Sequence, residues 1–305
     1  MRKEADNLLR INSISELHRM LGLPKPLHPL ISLVDNSTMV MNEAYIKSSF
    51  VFNFYKISFK KTLKGVFGYG QGYYDFDEGG MIFTAPNQLI SIIGDDKEYE
   101  GFSLLVHPDF IRNYPLCKNI KSYGFFSYEA NEALHLSDKE KTTILGVLDN
   151  IQQELNGTID DFSQDLMISY IEVLLNYSNR FYKRQFITRK AVNNDLLVKM
   201  EDVLSSYFDK EEPLDNGLLT VDYLAQHLNV SPRYLSDMLR SLTGQNAQQH
   251  IHEKLIEKAK EFLSTSHLTV AEIAYQLGFE HPQSFSKIFK KKTNVTPLEF
   301  RASFN

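Results

Sequence analysis

One short phrase occurs twice in this chain, and that repetition constrains the fold more than any other feature. Leu219-Thr220-Val221-Asp222-Tyr223-Leu224-Ala225-Gln226-His227-Leu228 returns 49 residues later as Leu268-Thr269-Val270-Ala271-Glu272-Ile273-Ala274-Tyr275-Gln276-Leu277. Leu, Thr, Val, Ala and Leu coincide, and Leu224 meets Ile273. With one residue inserted in the second copy, Leu235-Ser236 aligns with Phe285-Ser286, and Leu239 with Phe289. An internal repeat decides how a chain must be divided, because each copy is one structural unit.

Each copy reads as two short helices around a tight turn. In the second, Thr269 and Glu272 have the spacing of a capping box, which starts a helix at Thr269. Ile273, Ala274 and Leu277 make its apolar stripe. Gly278 then supplies the left-handed residue that ends it. The next helix turns Phe285, Ile288 and Phe289 inward. In the first copy Thr220 is the N-cap, and Leu224, Ala225 and Leu228 face inward. Asn229 stands where the glycine stood and tolerates the same backbone region. Ser231-Pro232 opens the following helix, with proline at its first position. Leu235, Met238 and Leu239 are its buried side. The spacing therefore predicts helix-turn-helix units over about 219–244 and 268–293. A helix over about 248–264 joins them, with Leu255, Ala259, Phe262 and Leu263 as its seam. Its 17 residues span roughly 25 Å, enough to hold two helices in successive major-groove faces about 34 Å apart.

The second helix of such a unit faces outward and is shaped to enter a major groove. In the first copy its outward residues are Arg233, Tyr234, Ser236, Asp237 and Arg240. In the second they are His281, Gln283, Ser284, Ser286, Lys287 and Lys290. Gln283 suits adenine and Arg233 suits guanine; Asp237 either accepts from cytosine N4 or restrains Arg233. Arg240, Lys290 and Lys291 are candidate phosphate contacts. Lys290-Lys291-Lys292 also suits the C-terminal end of a helix dipole. The plainer alternative is a helical hairpin with a solvated face, but two copies with matching caps and basic outer faces weigh against it. His250 and His252 invite a zinc reading, yet i and i+2 diverge on a helix, which favours solvent-facing histidines near phosphate.

These residues carry a family resemblance. Leu219 to Arg301 resembles the C-terminal DNA-binding domain of the AraC/XylS family of bacterial transcription regulators. The match is strongest at Ile273-Ala274-Tyr275-Gln276-Leu277-Gly278-Phe279, at Ser284-Phe285-Ser286-Lys287-Ile288-Phe289-Lys290-Lys291, and at Pro297 and Arg301. Three positions depart from the family pattern: Asn294 replaces a usual Gly, Phe300 a usual Tyr, and Pro282 lies in a normally polar start of the recognition helix. The resemblance implies double-stranded DNA as partner. It places Arg233, Ser236, Asp237, Gln283, Ser284, Ser286 and Lys287 at base- or backbone-facing positions. It further implies contact with RNA polymerase, a homodimer made through the helical hairpin (a hairpin packed on its own barrel fits the pattern equally), and an N-terminal jelly-roll, cupin-like domain that senses a small-molecule effector.

The remainder of the 305 residues fits that plan. The fold class expected is α+β: an N-terminal β-sandwich or jelly-roll plus a helical hairpin, then an all-α domain. The boundaries fall at 1–136 for the β-rich domain, 137–186 for the hairpin, 187–194 for a linker and 195–305 for the DNA-binding domain. Residues 5–22 read as a short helix, with Ser13 and Glu16 as a cap. Val51 to Phe59 alternates and reads as a strand, followed by strands at 81–85, 89–93 and 101–106. Gly65 to Gly72 is turn-rich. Tyr123, Phe125 and Phe126 are expected to cover the sandwich. Ser137 and Glu140 open a helix with Ile144, Val147, Leu148, Ile151 and Leu155 inward, stopped by Gly157; a second helix runs from about Asp160 to Phe186. Leu196, Leu197, Met200, Val203 and Leu204 make another amphipathic helix, and 209–217 reads as a polar loop. The aromatics Tyr45, Phe52, Phe54, Phe67, Tyr73 and Tyr74 read as core first and as cavity lining second.

Other function classes find less support. A cupin-type enzyme needs a close His pair, a Glu and a further His; His28 precedes the β region, His107 ends it, and no histidine lies between. No metal, cofactor or catalytic residue is therefore expected. A ligand-free interaction protein is the remaining alternative. The single Cys117 excludes an internal disulfide. No run of about 18 apolar residues is present, so no membrane span is expected, and the first residues lack an apolar signal core. A cytoplasmic location follows. The net charge is −5, which on its face disfavours a nucleic-acid partner. Its distribution matters more: Leu214 to Asn305 holds ten Lys/Arg against nine Asp/Glu, close to +1.

Overall fold

The computed structural model describes residues 8–40, 49–61, 79–91, 100–129, 132–157, 160–210 and 212–304. The chain divides into two compact units, Met1–Gln185 and Phe186–Asn305. Each is described by itself.

The first unit is built on two sheets. One has three strands in the order β1 (Leu8–Ile11), β3 (Ser49–Phe52), β6 (Leu89–Ser91). The other has five, in the order β2 (Ile31–Asp35), β7 (Gly101–Val106), β4 (Tyr55–Lys60), β5 (Gly80–Thr84), β8 (Leu134–His135). All pairings are antiparallel except β1 with β3. Residues 8–11 are thus a strand where a helix was expected to begin. Their partner Ser49–Phe52 is distant in sequence, so no local pattern announces the pairing. The helix proper, α1 (Ile14–Met20), starts at the expected cap: the Ser13 side chain accepts from Glu16 N–H, and Glu16 accepts from Asn12 N–H at 2.8 Å. The alternating run at 51–59 is two strands in different sheets, with the chain turning at Asn53-Phe54.

A shared core joins the sheets. Ile11, Ile14, Leu17 and Leu21 meet Phe50, Phe52 and Phe54 from one side and Val34 and Leu105 from the other. Phe52 and Phe54 stack at 5.2 Å and are core residues, as first expected. Tyr45, Phe67, Tyr73, Tyr74 and the glycine-rich run at 65–72 lie outside the described residues. On the five-stranded sheet, Ser58 and Ser103 pair across β4 and β7 at 3.2 Å, and Ser103 donates to Asn36 at 2.8 Å. Lys56, on the same strand, lies over the Phe52 ring at 5.8 Å. Burial, assisted by the charge of Lys60, pulls its amine down to about 8.

Helices cover the opposite side of that sheet. After α2 (Pro108–Ile111) and α3 (Leu116–Asn119), Phe125 and Phe126 pack on Phe83 of β5, at 4.3 and 5.7 Å. The next helix, α4 (Asp138–Asn156), has the expected Ser137–Glu140 capping box and ends at Gly157. Ile144, Val147, Leu148, Ile151 and Leu155 are all buried. Then α5 (Ser163–Thr188) returns antiparallel to it: Arg184, near its end, holds Glu140, near the start of α4, at 2.6 Å. Leu166, along this helix, is exposed at 44%, and Phe162, just before it, at 69%.

In the second unit, α6 (Lys190–Asp209) follows α5 with a break only at Arg189 (φ −83°, ψ 46°). The expected linker at 187–194 is therefore helical for the most part. The expected loop at 209–217 contains a short helix, α7 (Glu212–Asn216). The repeat then supplies α8 (Val221–His227) and α9 (Pro232–Thr243), α10 (Ala247–Thr265), α11 (Val270–Gln276) and α12 (Pro282–Thr293), and α13 (Pro297–Ala302) closes the chain. No helix among the described residues is long and apolar enough to cross a membrane.

Candidate nucleic-acid interface

The two copies of the repeat fold by the same local chemistry. Thr220 accepts from Tyr223 N–H to start α8; Thr269 and Glu272 form the complete capping box of α11. Each cap contributes about 1 kcal/mol. The chain then turns through a left-handed residue, Asn229 at φ 54° and Gly278 at φ 86°. Val230 N–H reaches Ala225 O at 3.1 Å, and Phe279 N–H reaches Ala274 O at 2.9 Å. Proline opens both second helices. Their ends repeat the left-handed device with the residues exchanged: Gly244 (φ 80°) after α9 and Asn294 (φ 64°) after α12. The departure at Asn294 is thereby absorbed, since asparagine tolerates the conformation that glycine otherwise supplies. Pro282 occupies the first helical position, where no backbone N–H is needed.

Inward packing fixes which side of each second helix faces out. Leu235, Met238 and Leu239 of α9 are fully buried, as are Phe285 and Phe289 of α12; Ile288 is only half-buried. Phe279, Phe285, Phe289 and Phe300 form a chain of ring contacts at 5.5, 5.7 and 5.6 Å. The departure at Phe300 thus keeps a ring at the end of this series of contacts. Helix α10 packs against α8 and α9 of the first copy and α11 of the second. Its seam is Ile251, Leu255, Ile256, Ala259 and Leu263. Phe262, expected in that seam, is half-exposed, because isoleucines at 251 and 256 already fill the buried side. Arg301 donates from Nε to Leu263 O at 3.3 Å at the end of α10.

A family profile described as a helix-turn-helix domain matches residues 224–303. The arabinose operon regulatory protein of Escherichia coli (strain K12) is 37% identical over 180 residues, 59% of this chain and 55% of that protein. The HTH-type transcriptional regulator YfiF of Bacillus subtilis (strain 168), itself uncharacterised, is 23% identical over 256 residues, 83% of this chain and 78% of YfiF. Among solved structures, the C-terminal domain of the two-component response regulator yesN from Fusobacterium nucleatum is 32% identical. It is covered over 96% of its length by 33% of this chain, with a TM-score of 0.29. Residues 224–303 are a helix-turn-helix domain, and the chain is similar there to AraC-type transcription regulators. It spans just over half the length of the E. coli relative. The matched residues all lie in the C-terminal unit, and these relatives are transcription regulators by name.

Within this AraC-type domain, the candidate contact residues fall into two groups. On α12 and at its N-cap, His281, Gln283, Ser284 and Lys287 are exposed, as are Lys290, Lys291 and Lys292 beyond them; Ser286 is half-buried. None of these four lysines has an ion-pair partner among the described residues. On α9, Arg233 and Arg240 are exposed, while Tyr234, Ser236 and Asp237 are half-buried. Arg233 donates from Nε to Asp237 at 2.9 Å, so Asp237 restrains Arg233, one of the two roles open to it. An i, i+4 pair of this kind is worth only a few tenths of a kcal/mol, which a guanine edge can outcompete.

Other charges are committed elsewhere. Lys258 holds Asp209 at 3.0 Å and Glu261 at 2.9 Å, and those hydrogen bonds hold its amine above the ordinary value. It ties α10 to the end of α6 and is no phosphate ligand. His250 and His252 do not act as a pair: His250 meets Thr243 at 2.9 Å, and His252 meets Gln248 at 3.0 Å. Burial, then the charges of Lys292 and Lys291, lower the His252 pKa. That coupling sets Lys292, which pattern reading used only as a helix-end cation, in the same positive field as Lys291. Among the described residues no cluster of His, Cys, Asp or Glu could hold a metal ion.

Proposed function

We propose that this chain is a sequence-specific, effector-responsive regulator that reads DNA with both recognition helices, α9 and α12, in successive major grooves. The observation that carries this reading is the repeated, capped helix pair packed on a single helix, α10, with unpaired lysines on the outer side of α12. The 19 residues of α10 span about 28 Å, comparable with the roughly 34 Å of one duplex turn. Gln283, Ser284, Ser286 and Lys287, with His281 at the N-cap, and Arg233, Tyr234, Ser236 and Asp237 on α9 are the groove-facing set. Arg240, Lys290 and Lys291 bind phosphates.

We take 195–305 as the DNA-binding domain, 137–186 as a dimerisation hairpin, and 1–136 as a cupin-like sensory domain for a small molecule. RNA polymerase is the further partner, and the bacterial cytoplasm the location. A second copy of this chain is the partner assigned to the outer side of α5. Leu166, Tyr170, Val173 and Tyr177 follow a 4-3-4 spacing there, the seam of a coiled coil. Asp165 stands before it and Glu172 within it, while Arg180 and Lys183 follow it, so antiparallel pairing sets Asp165 against the basic end.

The test is selection from random duplex oligonucleotides with the full chain at moderate salt, followed by titration of the selected site. Lys287→Ala should weaken that site by about 1–3 kcal/mol with little loss on other sequences. Lys290→Ala should weaken all sequences alike and reduce the salt slope by about 0.9. A chain that selects no sequence refutes the reading.

A further inference from the structure

We propose that the segment entering the second unit, Phe186 to Asn193, masks the first recognition helix and must leave before α9 can dock. The repeat provides an internal control. Past the one-residue insertion, Tyr234 and Asp237 of α9 occupy the positions of Ser284 and Lys287 of α12. Ser284 and Lys287 are exposed, whereas Tyr234 and Asp237 are half-buried, the Asp237 side chain keeping 20% exposure. Arg233 of the same helix lies on Asp237, but Tyr234 is met by a ring from outside α9.

The cover includes Phe186. Its ring meets Tyr234 edge-on, with centroids 5.2 Å apart and planes at 74°, and it is only 3% exposed. The segment is also fastened in place. The Phe186 carbonyl accepts a hydrogen bond from the side-chain amide of Asn193, which is 4% exposed, and Asn193 N–H reaches Arg189 O at 3.0 Å. The backbone break at Arg189 is what lets the chain fold back this way.

Dimensions make the cover incompatible with docking. The major groove is about 12 Å wide, and a helix with its side chains is about 10–12 Å across. No room remains for a phenyl ring lying against the outer side of α9. The domain therefore has two modes: α12 engaged alone while the mask is on, and both helices engaged once it is off. Apparent affinity is reduced by the fraction of molecules unmasked. This inference rests on the two-helix reading above, and the experiment separates the two.

With the full chain and its selected DNA site, Phe186→Ala and Asn193→Ala are compared with the parent by anisotropy titration and hydroxyl-radical footprinting. Loss of one edge-on ring contact should tighten binding by about three- to tenfold, with the added protection confined to the half of the site under α9. Hydrogen exchange on the unaltered chain gives a second readout that does not depend on either variant folding: amides of 186–193 should exchange faster in the DNA complex than in the free protein. Unchanged or slower exchange in the complex overturns the proposal. So do wild-type affinity and footprint in variants whose melting is intact. If the parent chain selects no DNA sequence at all, the two-helix reading fails first and the mask with it.

Discussion

Gly278 offers a direct test of the packing between the second copy of the repeat and the turn that leads into the first. Its φ of 86° lies in the left-handed region, and a Cβ there would stand 2.3 Å from the carbonyl oxygen of Gly217, 2.4 Å from its carbon and 2.8 Å from Leu218 N. All three atoms are backbone, and Gly217 is itself left-handed at φ 77°, so the obstacle cannot swing aside as a side chain would. Gly278→Ala then carries two penalties: about 1–2 kcal/mol for the conformation and about 1–3 kcal/mol for forcing the backbones apart. Asn229→Ala, at the matching turn of the first copy, carries the conformational penalty. Gly278→Asn separates the effects, because asparagine tolerates the φ but keeps the clash. Urea unfolding of the full chain, fitted as two transitions where the units separate, should show losses of about 2–5 kcal/mol for Gly278→Ala. It should show about 1–3 kcal/mol for Gly278→Asn and about 1 kcal/mol for Asn229→Ala. If Gly278→Asn proves as stable as the parent, the close approach of Gly217 is not a feature of the folded domain and the reasoning fails.

Two further outcomes concern the first unit. The Lys56 amine is pulled down to about 8 from 10.5 by burial and by Lys60, so between those values the unfolded chain binds more protons than the folded one. Stability of this unit should therefore rise as pH climbs through the lower part of that window; near and above pH 10 neighbouring Tyr55, whose pKa burial raises from 10.0, opposes the rise because the unfolded tyrosine ionises first. Lys56→Met should be more stable than the parent at pH 7 and lack the alkaline rise, and parallel curves for the two proteins would dispose of the argument. Val173→Glu should leave the fold intact, since Val173 is 40% exposed, yet shift sedimentation from dimer to monomer; a parent chain that sediments as a monomer at micromolar concentration removes the self-pairing assigned to α5.

What could be read from the sequence was what short-range chemistry writes. The capping boxes at Thr269 and Ser137, the left-handed turns and the buried stripe of α4 each depend on residues three or four apart, and each appears in the structure. What escaped was non-local. Leu8–Ile11 carries no strand signal of its own and becomes one only through Ser49–Phe52. Val51 to Phe59 alternates without interruption, yet the chain changes sheet at Asn53-Phe54. Leu166 is an apolar residue of α5 yet lies on its outer side, because an apolar residue in a helix does not say what covers it.

The same limit applies at the interface, with a functional consequence. A repeat suggests two equal readers, but the structure makes them unequal. Arg233 is tied to Asp237 and Tyr234 lies under Phe186, whereas α12 presents Lys287, Lys290, Lys291 and Lys292 without ion partners among the described residues. Each phosphate neutralised contributes about 0.9 to the salt slope, so most of the salt-sensitive attraction resides on α12. A chain of net charge −5 has no general field to draw it to DNA, and encounter must begin at that local patch. On the proposed reading, helix α12 supplies the attachment, and α9, with Arg233 tied to Asp237 and Tyr234 against Phe186, supplies a second reading step that can be held back.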